Sequence, residues 1–176
     1  MGALAYQKIG LKELESLLNS DVNKWNAYKY SVPYKVELVV TQVDFEDLTL
    51  DCPDLNLVSF RGCTFTNCLI KSSNLNYSLF NNCYFYKTSL VRCSVSDAKI
   101  SDCFFHDCEI SGSSFIQTEF YNTDLTGVSG SGNELEGAYL LNSPLPLLFK
   151  IGKIERTLES CNSLLNNKDP EDDLPK

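Results

Sequence analysis

From Phe45 to Leu125 every fifth residue is Phe, Leu, Ile or Val, seventeen positions in succession. No ordinary element repeats that way, because a helix returns to the same face every 3.6 residues and a strand every 2. If about half of residues are apolar, chance produces such a run on the order of once in 10⁵ trials. The phase survives an interruption at Gly130 and continues through Leu135, Leu140 and Leu145. A fixed short period of this kind belongs to a repeat architecture, in which each unit buries its apolar face only against its neighbours.

A second regularity gives the shape of the unit. Two residues before each large apolar residue stands a small one, as at Val58, Cys63, Cys68, Ser73, Ser78, Cys83, Thr88, Cys93, Ala98, Cys103, Cys108, Ser113, Thr118 and Thr123. Residues two apart on an extended chain point the same way. The small and the large residue therefore face inward, and the residues between them face outward. If each five makes one side and then turns a corner, the coil closes on a whole number of sides. Like residues recur at twenty: Phe45, Phe65, Phe85 and Phe105 form one file, and Leu50, Ile70, Leu90 and Ile110 another. Twenty residues are four sides. The expected fold is an all-β solenoid, a quadrilateral parallel β-helix of about five coils whose rungs are spaced by about 4.8 Å.

The open ends of such a tube need covers, and both flanks supply candidates. In residues 8–29 Leu11, Leu14, Leu18, Val22, Trp25 and Tyr28 fall at helical spacing, and Ile151, Ile154, Leu158, Cys161 and Leu165 do so after Pro146. The expected organisation is an N-terminal helical cap over 1–35, the repeats over 36–146, and a C-terminal helix over 147–167. That last helix would serve as a lid, leaving a monomer, or join two chains as a homodimer. A disordered acidic tail over 168–176 completes the chain.

These repeats resemble the pentapeptide-repeat family, whose unit is a small residue, Asp or Asn, Leu or Phe, then two polar residues. SSNLNYSLF, YNTDLTG and EGAYL carry the likeness, and LLNSDVNKWNAYK is similar to the Trp-containing helix before the repeats of many bacterial members. The resemblance implies a right-handed quadrilateral β-helix and no enzymatic activity. Within the family one subgroup imitates duplex DNA, binds DNA gyrase or topoisomerase IV and protects against quinolones; others work through protein contacts. The present chain has little Asp at the second position of its repeats and is unusually rich in Cys and Phe inside.

Charge narrows the partners. The chain carries a net charge of −8, and residues 44–145 hold thirteen Asp/Glu against five Lys/Arg. Direct contact with nucleic acid or an anionic membrane is disfavoured; a basic protein partner is not. The start, MGALAYQKIG, has no basic region followed by an apolar run, and no stretch is long and apolar enough to span a bilayer. The expected location is the cytoplasm, with the eight cysteines reduced.

Three groups of residues compete as sites. Cys63, Cys83 and Cys103 form one inward column, either a redox or soft-metal stack or thiols used as small apolar fillers; zinc spacings are absent, which favours the fillers. His106, the single histidine, lies near Asp102 and Asp107, but a smooth wall gives a triad no pocket. Outward of Phe85 and Phe105 stand Tyr84, Tyr86, Phe104 and His106, four rings on two adjacent coils. Such a patch marks a contact surface or merely a stacked ladder. The reading adopted is a non-enzymatic scaffold without metal or cofactor that contacts an unidentified protein through this patch. A gyrase-directed DNA mimic is the alternative, and a metal- or redox-active Cys-rich protein the second.

Overall fold

The structure, a computed structural model, describes residues 5–9, 22–33 and 36–145. From Val36 to Leu145 the chain winds as a parallel solenoid, and each rung pairs with the residue twenty positions away, as in Phe45↔Phe65, Leu50↔Ile70 and Phe60↔Phe80. Wall 1 contains β2 (Val36–Thr41), Val58–Arg61, Leu79–Asn81, Lys99–Ser101, Glu119–Tyr121 and Tyr139–Leu141. Wall 2 contains Asp44–Glu46, Thr64–Thr66, Tyr84–Tyr86 and Phe104–His106; wall 3 runs from Thr49–Asp51 to Val128–Ser129. Wall 4 is thinner, a column of single parallel bridges through Asp54, Asn74, Ser94, Ser114 and Glu134. Its residues enter tight turns in which the Asp54 and Asn74 carboxyl or amide oxygen accepts the N–H of Asn56 or Asn76, so three walls are sheets and one is a stack of turns.

The Phe rings stand in one interior file, as the twenty-residue spacing requires. Phe45–Phe65, Phe65–Phe85 and Phe85–Phe105 stack with centroids 4.6, 4.7 and 4.3 Å apart. Phe60 and Phe80 form the neighbouring file and meet the first edge-on at 5.8 Å. Edge contact between files suits the quadrupoles of the rings, and the rung spacing of about 4.8 Å sets the near-parallel stack within a file. The corners are made by left-handed residues, again every five: Gln42, Asp47, Cys52 and Leu57 in the first coil have φ of 53–59°. Asn, Asp and Gly fill many of the later corners, where a left-handed backbone costs them least.

The inward small residues do more than leave room. A corner points the N–H of the small residue into the tube, away from the strand ladders. The side chain one coil further along accepts it: Cys68 N–H bonds to Thr88 Oγ1 at 3.3 Å, Cys93 N–H to Ser113 Oγ at 3.0 Å, and Thr123 N–H to Ser143 Oγ at 3.0 Å. Side chains of this column also donate onward, Thr88 to the Phe65 carbonyl and the Cys68 and Cys108 thiols to the Phe45 and Phe85 carbonyls. Where a tight turn precedes the small residue, its N–H bonds back within the turn instead, as Ala98 does to Val95 and Val128 to Leu125. From Val58 onward the apolar members of the column, Val58, Ala98, Val128 and Ala138, all follow such turns. A buried N–H without a partner costs about 1–3 kcal/mol, which selects Ser, Thr, Cys or Asn wherever no turn supplies one.

Among the described residues, two elements cover the N-terminal end. β1 (Ala5–Ile9) pairs in parallel with β2, and α1 (Val22–Ser31) lies beyond it. The expected helical cap over 1–35 therefore contains a strand, and the helical reading of residues 8–29 fails at Lys8 and Ile9. A free edge on wall 1 offers unpaired backbone groups, and β1 satisfies them while burying Ile9 completely. From α1, the fully buried Trp25 donates its indole N–H to the Asp54 carbonyl at 2.8 Å, and Asn26 Oδ1 accepts the Asp54 N–H at 2.8 Å. These side chains replace the rung missing below Asp54. Leu11, Leu14 and Leu18, the helix expected over 147–167 and the tail over 168–176 lie outside the described residues.

Candidate functional site

Wall 2 presents two outward columns, one on each side of its buried Phe file. The first reads Asp44, Thr64, Tyr84, Phe104 and Asp124; the second reads Glu46, Thr66, Tyr86 and His106. The four residues singled out from the sequence are thus brought together by the pairs Phe104↔Tyr84 and His106↔Tyr86. Tyr86 and His106 stack with centroids 5.6 Å apart and planes 13° from parallel, and Tyr84 lies 6.4 Å from Tyr86. Lys87 Nζ stands 4.9 Å above the Tyr86 ring. Tyr84 and Phe104 remain 42% and 50% exposed.

Carboxylates bracket the rings. Asp44, Glu46 and Asp47 are exposed at one end of the wall, Asp102 and Asp107 flank it at the corners, and Asp124 follows Phe104 in its column. Asp124 accepts the Thr126 hydroxyl at 2.6 Å and its N–H at 2.9 Å, which hold its carboxyl below the usual range with help from His106. His106 Nε2 lies 3.7 Å from Asp107 on open wall; its ring meets Tyr86 and a carboxylate, with no serine arranged for nucleophilic attack among its described contacts.

Cys63, Cys83 and Cys103 occupy the expected inward file and are buried. Cys83 N–H donates to Cys103 Sγ at 3.4 Å, and the Cys63 thiol donates to the Val40 carbonyl at 3.5 Å. The hydrogen bond with Cys103, then burial, pushes the Cys83 thiol up to about 12, and Cys63 is raised for the corresponding reasons. Among the described residues no three His, Cys, Asp or Glu side chains are grouped to hold a metal.

One further concavity escaped the sequence reading, a groove of about 280 Å³ between α1 and wall 1 lined by Val32, Val36, Leu57, Tyr77 and Leu79. Its residues stand off the five-residue phase, so periodicity could not find them; exposed Leu and Tyr at outward positions were the available signal. Lys29 at its edge pairs with Asp54 at 3.6 Å, and burial lowers its pKa against that attraction.

The family model for pentapeptide repeats matches residues 88–127 in eight copies. No curated protein is significantly similar to the chain in sequence. Among solved structures, a pentapeptide repeat protein from the Arabidopsis thaliana thylakoid lumen is 17% identical with a TM-score of 0.40, covering 58% of this chain and 64% of that one. The present chain therefore spans less than two thirds of that protein's length. The pentapeptide repeat protein Rfr23 from the cyanobacterium Cyanothece 51142 is 14% identical with a TM-score of 0.32, covering 75% and 95%. Trypsin-treated QnrB1, a plasmid-mediated fluoroquinolone resistance protein, is 12% identical with a TM-score of 0.25, covering 73% and 94%. The fold assignment rests on the chain's own register and burial.

Proposed function

We propose that the chain, whose residues 88–127 match the pentapeptide-repeat family model, acts as a non-enzymatic scaffold contacting a protein partner through Tyr84, Tyr86, Phe104 and His106. The supporting observation is that Tyr84 and Phe104 keep 42% and 50% of their surface in solvent at the middle of a wall whose other outward residues are polar. Tyr86 and His106 stack on each other as a ladder would, but Tyr84 and Phe104 each offer about half their area to something else. Clustered aromatic residues at the centre of a polar surface are the usual anchors of protein contacts.

Replacing all four residues by Ser should remove a specific partner captured by the full chain from its native host, while the thermal midpoint stays near that of the parent. A stable variant that still captures every partner refutes the assignment. The alternative, imitation of DNA toward gyrase or topoisomerase IV, has weaker support because Lys71, Lys87, Arg92 and Lys99 interrupt the carboxylates through the middle coils. We expect micromolar protein to leave gyrase supercoiling unchanged and to give no protection against a quinolone; inhibition or protection would favour the mimic.

A further inference from the structure

We infer that the face of wall 2 receives an arginine-bearing segment of a protein, its guanidinium laid across Tyr84 and Phe104 and paired with the adjoining carboxylates. The inference rests on the contact surface proposed above and assigns its chemistry. Tyr84 and Phe104 are paired on neighbouring rungs, about 4.8 Å apart, a span that one planar guanidinium covers. The wall already uses this contact once, with Lys87 Nζ 4.9 Å over the Tyr86 ring. Among the described residues no cation stands over Tyr84 or Phe104 in the same manner.

The surrounding charge has the complementary sign. Asp124 adjoins Phe104 in the outer column, held ionised by its two bonds from Thr126. Asp102 and Asp107 flank the same rung, Asp44 and Glu46 close the far end, and among the described residues only Lys87 and His106 oppose them on this face. Aromatic faces ringed by carboxylates attract a cation. Arginine suits the site better than lysine, because its weakly hydrated plane stacks on a ring while its edge donates to a carboxylate. The same carboxylates repel a phosphate backbone, so the partner is protein rather than nucleic acid.

The test titrates the full ¹⁵N-labelled chain with two peptides of equal charge, Gly-Arg-Gly-Arg-Gly and Gly-Lys-Gly-Lys-Gly, following backbone amide shifts at low salt. The arginine peptide should shift amides of Tyr84–Tyr86, Phe104–Asp107 and Asp124 and bind about three- to fivefold more tightly than the lysine peptide. The preference should vanish in Tyr84→Ser/Phe104→Ser, and Asp124→Asn should weaken binding about threefold. Equal binding of the two peptides, shifts centred on another wall, or a preference that survives the double substitution overturns the inference. If the Ser variant loses its partner but the parent shows no arginine preference, this chemistry falls and the contact surface stands. If neither experiment depends on the patch, both fall.

Discussion

Thr88 and Thr118 occupy equivalent positions two residues ahead of a core residue, and both are fully buried. The fold nevertheless demands different things of them. Thr88 Oγ1 accepts the Cys68 N–H at 3.3 Å and donates to the Phe65 carbonyl at 2.9 Å. Thr118 Oγ1 donates to the Val95 carbonyl at 2.7 Å, but the N–H of Ala98, one coil before it, already bonds to Val95 within its own turn. Valine matches threonine in shape, so substitution removes the hydroxyl while leaving no cavity. Thr88→Val strands a buried N–H and should cost about 1–3 kcal/mol. Thr118→Val strands no N–H, leaves the Val95 carbonyl its turn partner, and should cost less than about 1 kcal/mol. Urea unfolding of the two variants and the parent, with unchanged m values, measures the difference as a shift in midpoint. Equal losses, or a Thr88→Val variant within about 0.5 kcal/mol of the parent, would refute the argument that the inward column exists to satisfy corner amides.

Other consequences follow from the same geometry. A Cβ at Gly130, where φ is 136°, would lie 1.8 Å from the Ile110 carbonyl oxygen; Gly130→Ala should destabilise by at least about 3 kcal/mol, and a thermal midpoint unchanged within error contradicts the close approach. The Cys83 and Cys108 thiols, pushed up to about 12 and about 11, favour the protonated folded form over an unfolded thiol near 8.5. Their stabilisation is complete below that unfolded value and is lost as pH rises through 11 and 12. The urea midpoint should therefore fall above pH ~9 less steeply in Cys83→Ser/Cys108→Ser than in the parent, and identical slopes exclude the thiols as the cause. Trp25→Phe keeps the apolar filling of the cap but leaves the Asp54 carbonyl without its indole donor. Amide exchange at Asp54 and Leu55 should quicken relative to Phe85, whereas uniform exchange rates would mean that α1 does not secure the first coil.

Wall 2 illustrates how far residue order alone reaches. Once the period of five and its fourfold multiple are read, Tyr84, Tyr86, Phe104 and His106 must share an outer face, and the ring stack follows by arithmetic. Asp124 was equally available at twenty residues from Phe104, but its part in the face depends on a turn that holds its carboxylate in place. The partnership of β1 with β2 was not legible, because five residues at the chain start show no period of their own and acquire a role only beside an unpaired edge. The same holds for the groove, whose Leu57 lies one coil before Tyr77 and Leu79, so that the three meet α1 only after winding.

Residue order by itself determined the tube, its four sides and its files of Phe, because stacking like on like every twenty residues is a local rule repeated many times. Tertiary structure decided why the inward column alternates between hydrogen-bonding and apolar residues, which turns form the fourth wall, and how the first coil is capped. Those features depend on which backbone groups lack partners after the coils have stacked, and an unpaired group exists only once its neighbours are in place.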